Sequence, residues 1–362
     1  MNPLVSIGVP IYNVESYIER CARSLFEQTY VHIEYIFIDD NSPDDSIGIL
    51  KATLEDYPAR MQQVKIVRQP VNVGSSAVRN KAVSMMSGEF VMWVDSDDFV
   101  ELDMVEKLVS AQRQNDADIV TCNTIVHLPK GKFSTMFSPI YNTPKEMTLQ
   151  LLRKKVPVSV WARLIRLCLY IDNDVQSLEG INNAEDYQQM PRLTFYAQKV
   201  CSINDALYHY NCTNNNSYTA TYSPKLAEQV MISVNLLEQF FQDKGIEYVD
   251  ALNFSKAEIY ARDLVKCCRL GYKEYYYFTR GMVEKMDRKY FVSLPLPFRI
   301  LLKLPNYYIA KPDSNRAKSC KSSNSAFDSI FSLNPKSDTE NANPSMLLVH
   351  LEKDIPALAP VL

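Results

Sequence analysis

The stretch Val91–Phe99 reads VMWVDSDDF and changes abruptly from apolar to acidic residues. Its aspartates, Asp95, Asp97 and Asp98, follow an apolar run that is typical of a buried strand. Carboxylates packed so closely repel one another, and a loop that needed only solubility could use Asn, Ser or Lys instead. The stretch therefore predicts either a cap for the next helix or a site for a positively charged ligand.

Outward from this stretch, short β-branched runs alternate with segments whose apolar residues recur at helical spacing. The runs that predict buried strands are Val5–Ile11, Tyr35–Ile38, Val64–Val67, Phe90–Val94 and Ile119–Val126. The segments that predict helices are Glu15–Gln28, Ser46–Glu55, Ser76–Met86 and Leu102–Gln112. Asp44 and Asp45, and then Ser75 and Ser76, stand where N-caps are expected. The alternation predicts a Rossmann-like α/β fold, with a mostly parallel central sheet and helices on both faces.

The pattern loosens after residue 130. It predicts a turn at Pro129–Lys132, a helix near Lys145–Lys155 and a final strand-like pair around Lys199–Tyr210. Residues 224–288 look helical and predict a C-terminal helical extension, whereas Ser, Asn, Lys, Asp and Pro dominate after residue 311. We therefore expect a catalytic domain over residues 1–220, a helical region over 221–311 and a poorly ordered tail over 312–362.

Composition excludes some classes of partner. The formal net charge is −3, which gives no electrostatic basis for binding nucleic acid. Eight cysteines without a CxxC spacing predict reduced thiols in a cytoplasmic protein. No apolar run is long enough to span a bilayer. Residues 290–310 are apolar, aromatic and basic, so they either touch the inner face of a membrane peripherally or form a helix packed on the body.

A second acidic pair, Asp39 and Asp40, follows the predicted strand EYIFI. Because the carboxyl ends of parallel strands meet at one edge of a sheet, both acidic clusters should face the same crevice. Neither cluster has a Lys or Arg beside it in the sequence, which favours a divalent cation that carries water and phosphate. The first strand–helix junction, VPIYNVESY, lacks GxGxxG, and the chain has no GxxxxGK[ST]. A metal bridging a diphosphate to Asp-x-Asp is the arrangement expected for transfer from a nucleoside diphosphate sugar.

Four stretches resemble family 2 glycosyltransferases in order and spacing: VSIGVPIYNVESYIERCARSLFEQTY, EYIFIDDNSPDDS, NVGSSAVRNKAVSMMSGEFVMWVDSDDF and, later, VWARLIR with EGINNAEDYQQMPRL. The resemblance covers roughly residues 3–215 and carries almost nothing beyond them. It implies an A-type glycosyltransferase fold and an inverting, metal-assisted transfer from a nucleoside diphosphate sugar, with UDP as the expected nucleotide.

The resemblance also implies roles on the donor side of the site. Pro10 and Tyr12 would floor the nucleotide pocket, or pack as an ordinary strand end. Asp39 would accept a hydrogen bond from the base. Asn41 replaces the Gly that usually follows Asp40, a replacement that is tolerated because Asn also accepts unusual backbone angles. The implied nucleotide-sugar-binding residues are Pro10, Tyr12, Asp39, Asp40, Arg79, Asp95 and Ser96. Asp97, assisted by Asp95, would bind the metal, manganese or magnesium, and Asp98 would shape the loop or cap a helix that begins at Glu101.

On the acceptor side, Glu185 and Asp186 match the Glu-Asp motif of the family. Asp186 is the predicted general base, and Glu185 would contact the acceptor or the helix terminus. The alternative is an acidic pair that is merely favourable in the first turn of a helix. Trp161 and Arg163 are expected to line the acceptor side. His209 would reach the metal or a phosphate, or else pack in the interior.

These features predict a non-processive hexosyltransferase that acts on a glycan or lipid-linked acceptor in surface polysaccharide or glycoconjugate synthesis. A sugar-nucleotide nucleotidyltransferase is an alternative, but such enzymes generally begin with a glycine-rich basic loop that VPIYNVESY lacks. A non-catalytic nucleotide-sugar-binding relative is another, although it would be expected to lose Asp97 or Asp186. A processive membrane synthase is disfavoured because no Gln-x-x-Arg-Trp follows the Glu-Asp motif.

Overall fold

The computed structural model describes residues 2–214, 222–292, 294–296 and 298–299. The chain divides into two compact units, the first reaching Ser255 and the second starting at Lys256. The predicted domain boundaries at 220 and 311 stay predictions. The expected tail and most of the 290–310 stretch lie outside the described residues.

The strands form where β-branched and aromatic runs lie, as the apolar pattern predicts. The first two, β1 and β2, are almost wholly buried because they lie in the middle of the sheet. The strands of the described part are β1 (Val5–Ile11), β2 (Ile33–Asp39), β3 (Val64–Arg68), β4 (Phe90–Trp93), β5 (Phe99–Val100), β6 (Ile119–Leu128), β7 (Lys132–Met136), β8 (Arg163–Arg166) and β9 (Val200–Asn211).

The strands join in one sheet of order β3-β2-β1-β4-β8-β6-β9-β5, with β7 paired to β6. Pairing is parallel through β3, β2, β1 and β4, as predicted for a nucleotide-binding half. Beyond β4 the sheet is mixed, since β8 runs antiparallel to both β4 and β6. The predicted α/β architecture is therefore present, with the parallel pairing concentrated in the N-terminal half.

Helices fill the connections between these strands and continue beyond the sheet. In the first unit they are α1 (Ile18–Phe26), α2 (Ser46–Glu55), α3 (Ser75–Val83), α4 (Met104–Asn115), α5 (Pro144–Leu152), α6 (Cys168–Ile171), α7 (Glu185–Tyr196) and α8 (Pro224–Phe241). The helix α9 (Ile246–Leu270) begins in the first unit and continues into the second, which also holds α10 (Lys273–Glu284) and a 3-10 turn at Arg288–Phe291. None of the helices in the described ranges is both long and apolar enough to cross a bilayer.

Helix capping differs from the sequence prediction at two places. Asp45 is the N-cap residue of α2, but its side chain makes no capping bond; Asp44 instead accepts a hydrogen bond from the hydroxyl of Ser46. Gly74, not Ser75 or Ser76, is the N-cap residue of α3, because the chain enters that helix with a positive φ of 88°.

The strand-like pair predicted around Lys199–Tyr210 is wrong: one long strand, β9, occupies it. This strand pairs in parallel with β6 and antiparallel with the short β5. Because β5 directly follows the acidic stretch, the far end of β9 lies against that stretch. A segment more than a hundred residues away in the sequence therefore forms part of the crevice.

Candidate active site

The loop Asp95–Asp98 leaves the sheet where β4 ends, and one of its aspartates is entirely structural. Asp98 is fully buried and accepts 2.7 Å hydrogen bonds from the Tyr208 hydroxyl and the Asn211 backbone N–H. Burial, and then repulsion from Asp97 and Asp95, raise the pKa of its carboxyl well above the ordinary range. Of the two predicted roles of Asp98, shaping the loop is confirmed, because Asp98 anchors the loop to β9, and capping a helix at Glu101 is wrong.

The other two aspartates of the loop, Asp95 and Asp97, are only partly buried. Asp97 Oδ2 accepts a 2.9 Å hydrogen bond from the Asn214 amide. Burial, and then repulsion from Asp95, raise the pKa of Asp97. Two carboxylates that disfavour each other's charge, at the open edge of a sheet, form an oxygen-rich site suited to a divalent cation.

The fit to a cation is limited by ligand number. Among the residues that the structure describes, no group of three or more His, Cys, Asp and Glu side chains could hold a metal ion. Mg²⁺ and Mn²⁺ favour oxygen ligands, and Mg²⁺ usually keeps several waters beside one or two carboxylates and substrate phosphates. Asp97 and Asp95 fit that donor set only if water and a diphosphate complete it.

Arg79 on α3 lies between the predicted donor-side loop and the predicted base. Its Nη2 lies 2.8 Å from Asp95 Oδ1 and its Nε lies 4.0 Å from Asp186 Oδ1. The guanidinium is buried over the ring of Trp93, and its Nε and Nη1 have no hydrogen-bond partner. Burial lowers the pKa of Arg79, but Asp95, Asp186 and Glu185 raise it further, so the cation is retained. A buried cation with unused donors is suited to a diphosphate or a sugar hydroxyl.

The predicted base, Asp186, lies in the first turn of α7, which follows Ala184 in a left-handed conformation with φ 67°. Its Oδ2 accepts a 3.2 Å hydrogen bond from Val160 N–H, whereas the buried Oδ1 has no hydrogen-bond partner. Burial raises the pKa of Asp186, and Arg79 opposes this in part. This oxygen faces Arg79 Nε at 4.0 Å and accepts no hydrogen bond, so it keeps the capacity to accept a proton.

The Glu185 side chain contacts the start of the neighbouring helix α3. Its Oε1 accepts a 3.0 Å hydrogen bond from the hydroxyl of Ser75, at the start of α3. Burial, and then repulsion from Asp186, raise its pKa to about 7. Glu185 thus ties α7 to α3 and adds negative charge beside Asp186.

The side chains of the first acidic pair, Asp39 and Asp40, have different hydrogen-bond partners. Asp39 Oδ1 accepts a 2.7 Å hydrogen bond from Ser42 N–H, and its buried Oδ2 accepts no hydrogen bond. That oxygen lies 3.3 Å from Arg68 Nε, an ion pair that leaves it able to accept a further hydrogen bond, the role predicted for contact with a base N–H. Both oxygens of Asp40 are used, each accepting a 2.8 Å bond from the backbone N–H groups of Val73 and Gly74. Asp40 therefore fixes the loop before α3.

Basic residues that do not adjoin the acidic clusters in the sequence lie beside them in space, Arg79 among them as the resemblance implied. Arg68 Nε lies 3.3 Å from Asp39 Oδ2, and Arg79 contacts Asp95. Arg20 donates to the backbone carbonyl of Asp97 at 3.3 Å, and its guanidinium lies 4.2 Å from the centroid of the Phe99 ring. Arg68 was detectable from sequence, because it ends the strand next to Asp39. Nothing in the sequence pattern distinguishes Arg20.

The remaining predicted residues take varied positions. Pro10 is half-buried in β1 and Ser96 is buried, whereas the Tyr12 side chain is 49% exposed at the end of β1, where a base could stack. Asn41 adopts the left-handed region with φ 60°, as the replacement of a glycine predicts.

Two side chains that were expected on the acceptor side are interior. Trp161 stacks on Tyr208 and Tyr210, and Arg163 donates to backbone carbonyls that include Pro157 O. His209 is likewise packed: its ring stacks on Phe99, and its two nitrogens lie within hydrogen-bonding distance of His127 and Glu101. These contacts leave neither ring nitrogen of His209 free for a metal or a phosphate.

The Gly74→Ala substitution should destabilise the protein by about 2–4 kcal/mol and lower transfer activity. The added Cβ would clash with the Asn182 side chain, and φ at Gly74 is +88°. Gly180→Ala is the matched control, because Gly180 has φ +80° but nothing within 4 Å. Urea unfolding should show the smaller loss, about 1 kcal/mol, for Gly180→Ala. Equal losses would mean that the Asn182 contact is unimportant.

Glu185→Gln should stabilise the protein at alkaline pH. The folded pKa of about 7 exceeds the unfolded value, so protonated Glu185 contributes stability at low pH that is lost as pH rises through the folded pKa. The variant should gain about 1–2 kcal/mol over wild type near pH ~8 and almost nothing near pH ~4. Melting temperatures measured across this range test the sign, with exposed Glu228→Gln as the control. A gain that grows toward low pH would contradict the assignment.

Comparison with known proteins shows the family to which this chain belongs. Residues 6–166 match the model of glycosyl transferase family 2. Over 254 residues the chain is 32% identical to the uncharacterized glycosyltransferase EpsJ of Bacillus subtilis, covering 68% of this chain and 72% of that protein. The chain belongs to glycosyl transferase family 2. It is therefore a glycosyltransferase, as the four sequence motifs predicted.

Two further proteins are similar to this chain, one in fold and one in sequence. A crystal structure of S. aureus TarS 1–349 in complex with UDP-GlcNAc aligns with a TM-score of 0.67 at 19% identity, covering 83% of this chain and 86% of that one. This likeness confirms the predicted A-type fold. The poly(ribitol-phosphate) beta-glucosyltransferase of Bacillus spizizenii is 27% identical over 210 residues, which cover 57% of this chain and 32% of that enzyme.

Proposed function

We propose that this family 2 glycosyltransferase moves a hexosyl group from a UDP-sugar to a glycan or lipid-linked acceptor, with inversion, in surface polysaccharide or glycoconjugate synthesis. The observation that carries the proposal is the position of Arg79 between Asp95 and Asp186. It brings the candidate donor-binding loop and the candidate base to one place, although they are far apart in sequence. A single displacement at the anomeric carbon requires both within reach of the same sugar.

Each residue has a distinct task in this reaction. Asp186 accepts the proton of the attacking hydroxyl at Oδ1, the oxygen that has no hydrogen-bond partner. Arg79 keeps the carboxylates of Asp186 and Asp95 in position. Its unused Nε and Nη1 donate to the donor sugar or its diphosphate. Asp39 accepts from the base, and Tyr12 stacks on it.

Asp97, assisted by Asp95, would hold manganese or magnesium, because these are the two partly exposed carboxylates of the loop. When bound, the cation neutralises negative charge on the departing nucleoside diphosphate. Arg20, at the backbone of Asp97, adds a second positive charge at the same end of the site.

The choice of donor and acceptor is supported by the relatives. TarS was crystallised with UDP-GlcNAc, and the Bacillus spizizenii relative is named for poly(ribitol-phosphate), a polymer. The unsatisfied oxygen of Asp39 suits the N3–H of uracil. A lipid-linked acceptor would place the enzyme at the surface of a membrane.

A screen of nucleotide sugars that follows nucleotide release tests the proposal. We expect UDP to form only when both a UDP-sugar and an acceptor glycan are present, with one sugar added per product molecule. The α- or β-configuration of the new linkage, read by NMR, should be opposite to that of the donor. Release of pyrophosphate would instead support a nucleotidyltransferase, and binding without turnover would support a non-catalytic relative.

A further inference from the structure

The hairpin of β6 and β7, together with the segment that follows it, carries apolar side chains that are exposed in the described part of the chain. Phe133, Phe137 and Ile140 have 73%, 71% and 67% of their surface exposed. Lys130 and Lys132, also exposed, stand at the turn between the strands. We call these five residues the hairpin face. Large aromatic residues grouped this way on a surface mark an interaction site.

Contacts link the hairpin face to the candidate active site. Phe133 lies on β7, and Phe137 directly follows Met136, the last residue of that strand. His127 pairs with Phe133 across the ladder, so these two side chains lie on the same face of the sheet. From there, contacts run through His209 to Phe99, and the Arg20 guanidinium lies over the Phe99 ring and donates to Asp97 O. A chain of side-chain contacts thus links the face to the donor end of the candidate active site.

The hairpin sequence itself carries charge of one sign. Between residues 119 and 145 the chain holds three lysines and no Asp or Glu, although its overall net charge is −3. Lys145 is paired with Glu247 at 2.6 Å, so Lys130 and Lys132 supply the positive charge of the hairpin face. Lysines beside exposed aromatic residues complement an anionic lipid surface, where rings enter the interface and ammonium groups reach headgroup phosphates. A second copy of the chain fits less well, because lysines at the end of an edge strand oppose strand-to-strand pairing.

We infer that the hairpin face docks this enzyme on an anionic membrane surface. Phe133, Phe137 and Ile140 enter the headgroup region. The backbone polar groups of β7 remain in contact with water in that region. The inference rests on the proposed lipid-linked acceptor for its purpose, since docking would turn the Asp97 end of the site toward the membrane. Membrane binding itself needs neither donor nor acceptor, so its test is independent of the transfer reaction.

Co-sedimentation of the full chain with vesicles, without substrate, is the first test. Vesicles of phosphatidylcholine with about 30% phosphatidylglycerol should bind the protein about tenfold more tightly than phosphatidylcholine alone. The double variant Phe133→Ser/Phe137→Ser should lose about tenfold or more of that affinity. The double variant Lys130→Ala/Lys132→Ala should lose mainly the preference for anionic lipid. Val31→Ser/Met61→Ser, which changes other exposed apolar residues, is the matched control.

Tryptophan fluorescence gives a direct reading of insertion. The chain has two tryptophans, Trp93 and Trp161, and both are buried. Added phosphatidylglycerol vesicles should therefore shift the emission of Phe133→Trp to the blue and leave the Val31→Trp emission unchanged.

Three outcomes would overturn the inference: no binding of wild type to either vesicle, equal binding by the Phe133→Ser/Phe137→Ser variant and the control, or an unshifted Phe133→Trp emission. Light scattering that shows a wild-type dimer, dissociated by Phe133→Ser/Phe137→Ser, would assign the face to self-association instead. Failure of transfer with intact vesicle binding would count against the proposed function alone.

Discussion

Asp186→Asn should reduce kcat for sugar transfer by about 10²–10⁴-fold while leaving the affinity for the donor unchanged. The amide has the same shape, so its oxygen can still accept from Val160 N–H, but it cannot take a proton from the acceptor hydroxyl. Arg79 keeps its close ion pair with Asp95, so the donor side should stay ordered. The measurements are single-turnover transfer rates and donor titration by calorimetry.

Glu185→Gln is the neighbouring comparison for this experiment. It removes a buried charge beside Asp186 but keeps the candidate base, so kcat should fall far less than in Asp186→Asn. Normal turnover by Asp186→Asn would remove Asp186 as the base.

Asp97→Asn should abolish transfer and also weaken metal-dependent binding of the donor, by about tenfold or more. The substitution removes one of only two partly exposed carboxylates in the loop, and a neutral amide is a poorer ligand for a divalent cation. Donor binding measured with and without Mn²⁺ should show the difference: the metal should strengthen binding to wild type and have little effect on the variant.

Thermal melting separates this effect from misfolding. Burial and Asp95 raise the pKa of Asp97, which means that its charge opposes folding when no cation is present. Asp97→Asn should therefore melt at the same temperature as wild type or higher at neutral pH, even though it is inactive. Asp116→Asn is the control, because the Asp116 side chain is 92% exposed and far less constrained. Donor binding by Asp97→Asn that still responds to Mn²⁺ would exclude Asp97 as a metal ligand.

Prediction from the sequence succeeded where the chemistry is local. Apolar β-branched runs gave the strands of the N-terminal half almost to the residue, because a parallel strand buried on both faces has little choice of residue type. The turn at Pro129 was likewise visible from its Pro and Gly. Asp39, Asp95 and Asp97 could be placed at one edge of the sheet, because parallel strands carry their carboxyl ends to the same side.

Prediction was weaker where distant segments decide the outcome. The partners of Asp98 come from β9, and the pair of Arg79 with Asp186 depends on a helix that begins more than a hundred residues later. Local spacing carries no information about such contacts, so Asp98 resembled a helix cap and the acidic clusters seemed to lack basic neighbours. The aromatic interior around Trp161 and His209 was hidden for the same reason.

The sequence by itself determined the family, the strand–helix alternation and the set of acidic residues from which a site could be built. The stretch VMWVDSDDF was sufficient to show that several carboxylates stand at the end of a buried strand. Only the tertiary structure decided which partner each carboxylate has. Asp98 is buried against Tyr208, Asp95 is paired with Arg79, and Asp97 stays partly exposed. The physical reason is that charge and burial depend on neighbours in space, and those neighbours were supplied by β9 and α3.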